Sequence, residues 1–118
     1  MNAQEFINGY IEAFYFADTG EDGQPPSHAQ LSTEARERIE IECKAFLYRV
    51  EVYLDLCPAD SGQAGQDFYF TRQRHGVGFW DDYKGEKYLN YSDLLDKAAG
   101  SFPEIDFYLS DDDQIEIQ

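Results

Sequence analysis

A chain of 118 residues lies within the size range of one domain, so residues 1–118 are expected to share a single core. Hydrophobic residues at 42% and aromatics at 16% supply that core and exclude an intrinsically disordered chain. With 24 Asp and Glu against 9 Lys and Arg, the formal net charge of −15 repels phosphate backbones and anionic membranes over a Debye length of roughly 8–10 Å, which excludes direct, non-specific nucleic-acid binding.

The acidic residues are spread along the whole chain, so charge belongs to the entire surface rather than to an acidic tail. The N-terminal residues MNAQEFINGY contain no basic region followed by an apolar core, and no apolar run approaches the ~18 residues of a membrane span. The expectation is a cytoplasmic protein without a membrane partner. From Asn2 to Ala17, Phe6, Ile7, Tyr10, Ile11 and Phe14 recur at helical spacing, which predicts an amphipathic helix. Asp18 to Gln30, rich in Gly, Pro, Asp and Ser, predicts a surface loop.

Ser32 is placed to cap a second helix running to about Leu56, with Ile39, Cys43, Phe46, Leu47, Val50, Leu54 and Cys57 on its apolar face. Ile41, Tyr48 and Val52 widen that face, which predicts a helix packed between two partners. Cys43 and Cys57, fourteen residues apart, are separated by about 21 Å along one helix and are read as reduced thiols. Pro58, Gly62 and Gly65 then predict a loop. Phe68 and Phe70 alternate with Tyr69 and Thr71, which predicts a strand; a turn at Gln73–Gly76 and a second strand at Val77–Trp80 complete a hairpin. Ser92 or Asn90 can cap a third helix bearing Leu94, Leu95, Ala98, Ala99 and Phe102. Ile105, Phe107 and Leu109, then Ile115 and Ile117 beyond an Asp111–Asp113 turn, predict a second hairpin. The expected fold is α+β: a small, mainly antiparallel sheet of about four strands in two hairpins, packed with about three helices in the order α-α-β-β-α-β-β.

The block AGQDFYFTRQRHGVGFWD, Ala64 to Asp81, resembles a family of small phage-encoded and prophage- or plasmid-borne proteins with a pattern like A-G-x-D-F-W-L-T-R-x-x-H-G-x-G-F-W-D. The resemblance extends to Tyr10–Ala13, to the acidic DTGEDG loop and to the ending IDFYLSDDDQIEI. Tyr69 stands where the family usually has Trp, and Asp113-Gln114 replaces its usual Asp-Gly turn. The resemblance implies an accessory protein of a phage or mobile element in a bacterial cytoplasm, and it implies no catalytic residues or cofactor.

The chain's basic character is concentrated at Arg72, Arg74 and His75, beside Trp80 and Asp81. Two guanidiniums and an imidazole over aromatics can grip an anion or a nucleotide, because Arg binds anions bidentately and stacks on rings. The competing reading has the arginines paired with acidic neighbours and Trp80 in the core. A hydrolase reading makes His75 a general base oriented by Asp81 or Asp82, but no HExxH, GxSxG or phosphate-cradling glycine loop accompanies it. Asp111, Asp112 and Asp113 lack the ligand spacing of a calcium loop, so no metal site is expected.

Glu37, Glu40, Glu51 and Asp55 on the second helix, together with Asp111–Asp113, form the expected acidic interaction surface, with Glu40 and Lys44 spaced as an i, i+4 pair. Such carboxylates either keep a face in water or imitate a nucleic-acid backbone toward a protein with a basic groove. The leading reading is a non-catalytic protein that binds and inhibits a host defence or nucleic-acid-binding protein, as a monomer or homodimer. The alternative is the anion- or nucleotide-binding module at Arg72, Arg74, His75 and Trp80, and the third reading is the hydrolase.

Overall fold

Asn2 starts the first helix by accepting a hydrogen bond from the Glu5 amide at 2.9 Å, and in the computed structural model, which describes residues 1–118, α1 spans Ala3–Asp18. Phe6, Ile7, Tyr10, Ile11 and Phe14 are all buried, as their spacing predicts. Ser32 caps α2, Thr33–Leu54, through the Ala35 amide. The C-terminal hairpin also forms, from β2 (Phe107–Leu109) and β3 (Gln114–Ile117), antiparallel with Phe107 opposite Ile117. Its turn places Asp113 at a φ of 60°.

Three features differ from expectation. Gln30–Leu31, inside the predicted loop, forms a two-residue strand β1 that runs parallel to β3, so the sheet is three-stranded and mixed, in the order β1-β3-β2. The first predicted hairpin does not exist. Ser61–Arg72 is instead a helix, α3, capped by Asp60 through the Gln63 amide at 2.8 Å. Val77–Trp80 is no strand either; Phe79–Asp81 is a 3-10 turn, followed by a second at Tyr83–Gly85. The last helix, α4, spans Ser92–Gly100 with Tyr91 at its cap position, and neither Ser92 nor Asn90 makes a side-chain cap. The architecture is thus four helices and one small mixed sheet in the order α-β-α-α-α-β-β.

Glycine explains why α3 is a helix where Gly62 and Gly65 suggested a loop. A Cβ on Gly65 would lie 1.9 Å from the Phe6 carbonyl oxygen, and one on Gly9 would lie 2.1 Å from that of Gly62. The glycines therefore let α1 and α3 cross almost backbone to backbone. Phe46 stacks on Phe68 with centroids 4.1 Å apart, and Phe6, Tyr10 and Phe102 surround the pair. Because Phe68, Tyr69, Thr71 and Arg72 are all buried, α3 has no exposed stripe from which a helical period can be read.

One expectation for α2 fails in a specific way. Ile39, Cys43, Phe46, Leu47, Val50 and Leu54 face the core, but Ile41, Tyr48 and Val52, expected against a second partner, are 67, 92 and 71% exposed. Cys43 is buried and Cys57, past the end of α2, is half-buried; both are free.

Candidate functional site

The five residues read as one binding group do not converge. Arg72, on the last turn of α3, is fully buried and its guanidinium is occupied. It donates to the Pro103 carbonyl at 2.8 Å, to the Tyr10 hydroxyl at 3.4 Å and to Glu42 in an ion pair. Glu42 accepts a second hydrogen bond from Arg38 at 2.7 Å. Burial works to raise the Glu42 pKa, but the hydrogen bonds and charges of Arg38 and Arg72 outweigh it and hold the carboxyl below its ordinary 4.5. A carboxyl whose folded pKa is depressed contributes stability that is complete above the unfolded pKa and is lost as pH falls through the folded one. The melting-temperature gap between wild type and Glu42→Gln should therefore be full above about pH 5 and close as pH falls below about 4.5; a gap independent of pH would contradict the ion pair.

His75 is not oriented by Asp81 or Asp82. Its Nε2 lies 2.8 Å from Asp18 Oδ2, and the Tyr69 hydroxyl donates to the same oxygen. Burial and the Asp18 carboxylate both push the Tyr69 phenol far above its ordinary pKa, so it stays protonated and donates. Asp18, Gln73, His75, Glu104 and Asp106 line a shallow cleft of about 260 Å³ that holds more carboxylates than cations. Asp81 instead accepts from the Gly78 amide at 2.9 Å, and Asp82 accepts from the amides of Lys87 and Tyr88 at 2.8 and 2.7 Å.

Arg74 and Trp80 point elsewhere. Both line a separate depression of about 410 Å³ with Thr71, Val77, Asp96 and Gly100. Trp80 is 56% exposed rather than core. Arg74, at a φ of 57°, donates to the Arg72 carbonyl at 2.8 Å and lies 3.5 Å from Glu104. The rest of the motif is framework. Asp67 is buried, accepting from Tyr88 and from Gln63 at 3.1 Å, with Lys87 3.6 Å away. The Thr71 hydroxyl accepts from the Phe79 amide at 3.1 Å, and a side chain on Gly78, at a φ of 134°, would collide with that same hydroxyl.

The acidic residues are placed differently. Of the 24 in the chain, Asp67 alone is buried. Glu37, Asp111, Asp112 and Asp113 are exposed without an ion pair, and Glu40 is partly exposed. Glu40 and Lys44 do not form the expected pair; Glu51 and Asp55 instead face the Met1 amino group, Glu51 at 3.5 Å. Hydrogen bonding to Asp55 raises the pKa of that amine.

Asp18, Glu42 and Asp67 went unselected in the sequence because their partners lie 57, 30 and 21 residues away. The Asp60-x-x-Gln63 spacing, a helix-start signal, would have located α3 and with it the true setting of Arg72. No three or more His, Cys, Asp or Glu side chains gather as a metal site, and no helix is long and apolar enough to cross a membrane. Comparison with protein-family models, curated proteins and solved structures finds no match to this chain.

Proposed function

We propose that this chain is a non-catalytic accessory protein of a phage or mobile element that acts in a bacterial cytoplasm by binding, and so inhibiting, a host protein with a basic nucleic-acid groove. The observation that carries this reading is that every carboxylate but Asp67 keeps some exposure, while Arg72 is buried and three further cations sit beside carboxylates of their own chain. Arg38 and Arg72 are held by Glu42, Lys87 lies beside Asp67, and Arg74 lies beside Glu104. The body measures 45 × 25 × 21 Å. A net charge of −15 over 45 Å is one per about 3 Å of length, against one per ~1.7 Å in duplex DNA. An elongated anionic body of that width and charge density is suited to a groove built for a duplex, and long-range attraction would speed its docking there.

The motif offers less to a ligand than its sequence suggested. With Arg72 enclosed and His75 turned to Asp18, the anion-binding alternative rests on Arg74 and Trp80 alone, beside the Asp96 carboxylate. Capture from host lysate on the immobilised chain is the test. A nucleic-acid-binding protein should be retained at low salt, released by ~0.5 M salt and displaced by duplex DNA. Retention indifferent to both salt and duplex would refute the reading.

A further inference from the structure

The outward face of α2 carries apolar side chains that nothing in the chain covers. Ile41, Tyr48 and Val52 are 67, 92 and 71% exposed, Ala45 lies exposed in the same row, and Leu56, just past the helix end, is 61% exposed. The spacing 41-45-48-52 is the seam of a two-helix coiled coil, with Ile41 and Tyr48 in d positions and Ala45 and Val52 in a positions. The same heptad places Arg38 at a, Asp55 at d, Lys44 and Glu51 at g, and Glu42 and Arg49 at e.

We infer that this face is a dimer interface, on which α2 packs antiparallel against α2 of a second copy about a two-fold axis between residues 46 and 47. In that register Ile41 meets the partner's Val52, and small Ala45 meets the partner's large Tyr48. Arg38, which also holds Glu42 of its own chain, then meets the partner's Asp55, Lys44 flanks the partner's Glu51, and Arg49 flanks the partner's Glu42; within each chain Glu51 and Asp55 also face the Met1 amino group and Glu42 also holds Arg72. Every charged pair is of unlike sign. In the parallel arrangement Arg38 would meet Arg38 and Asp55 would meet Asp55, while Glu37 would flank the partner's Glu42 and Lys44 the partner's Arg49. Each of those pairs is of like sign, so the charge pattern selects the antiparallel dimer.

Three further observations fit this occupant. Lys44 has no ion pair within its own chain. The stretch Cys43–Val50, which lies at the two-fold axis, contains no acidic residue in a chain of net charge −15, so two acidic bodies meet where their repulsion is least. The Arg49 guanidinium is held 4.9 Å over the Phe102 ring and donates to Ser101 at 3.1 Å, which leaves further N–H donors for a carboxylate. The inference stands whether or not the chain binds a basic host protein.

Sedimentation equilibrium at about 100 μM chain decides it, since a dimer of micromolar Kd is mostly assembled there. Wild type should weigh twice 13.6 kDa, and Tyr48→Glu should weigh 13.6 kDa with its helical circular dichroism unchanged, because Tyr48 makes no core contact. Lys44→Glu and Glu51→Lys should each weaken the dimer at least about tenfold, a change of ~1.4 kcal/mol. The double variant should restore it. Within one helix these residues are seven apart, about 10.5 Å, so restoration requires a contact between subunits. A monomeric wild type would assign the face to some other protein and overturn the proposal, as would a dimer that survives Tyr48→Glu or a double variant that fails to recover.

Discussion

Gly65→Ala is expected to lower the melting temperature by about 12 °C or more, whereas Gly62→Ala, three residues away on the same helix, should leave it unchanged or slightly raised. The added Cβ at position 65 would lie 1.9 Å from the Phe6 carbonyl oxygen and 2.8 Å from its carbon, both backbone atoms that move only if α1 moves. Overpacking of that kind costs about 3 kcal/mol or more, and a domain of this size loses roughly 4 °C per kcal/mol. At Gly62 the nearest atom is the Asp60 side-chain oxygen at 3.6 Å, an ordinary contact, and alanine is the better helix former by about 1 kcal/mol. Thermal melts of the two variants separate close helix crossing from mere helix propensity. Equal effects at both positions would mean that α1 and α3 do not meet at these glycines.

Arg72→Ala and Arg74→Ala should differ as sharply, although the two arginines are separated only by Gln73. Arg72 is fully buried, and its removal leaves the Tyr10 hydroxyl, the Pro103 carbonyl and part of the Glu42 carboxylate without a donor. Breaking one side of a buried ion pair costs about 3–5 kcal/mol. Arg72→Lys should recover little of this, because one ammonium cannot reach three acceptors fixed around a planar guanidinium. Arg74 is about half exposed, and its contact with Glu104 at 3.5 Å is worth less than about 1 kcal/mol. Urea unfolding of the three variants gives the comparison directly. An Arg72→Ala protein as stable as wild type would leave that guanidinium free for another role.

These positions also mark where the sequence was legible and where it was not. α1, α2, α4 and the C-terminal hairpin keep one exposed face, so their apolar residues recur at helical or strand period. α3 keeps almost none. With Phe68, Tyr69, Thr71 and Arg72 all buried, its aromatic run reads equally well as alternation, and its glycines read as breakers when they serve as contact surface. β1, at two residues, has no period to read.

The candidate group is dispersed for the same reason. On a hairpin, Arg72, Arg74, His75 and Trp80 would share one turn; at the end of a helix they diverge into the core, toward Asp18 and across toward α4. The second apolar face of α2 was visible in the sequence. Only the structure separates the part the core uses from Ile41, Tyr48 and Val52, which nothing in the chain covers.

The segment Asp67–Asp82 is therefore read as framework, and the exposed carboxylates as the working surface. Capture of the proposed host protein by two matched variants tests that division most directly. One removes the motif's outward chemistry through Arg74→Ala, His75→Ala and Trp80→Ala together. The other neutralises Glu37, Glu40, Asp111, Asp112 and Asp113 as amides. With both melting near wild type, the first should retain the partner with unchanged salt sensitivity, and the second should lose at least about tenfold in affinity, or ~1.4 kcal/mol. Loss of capture in the first variant with full capture in the second would contradict the account.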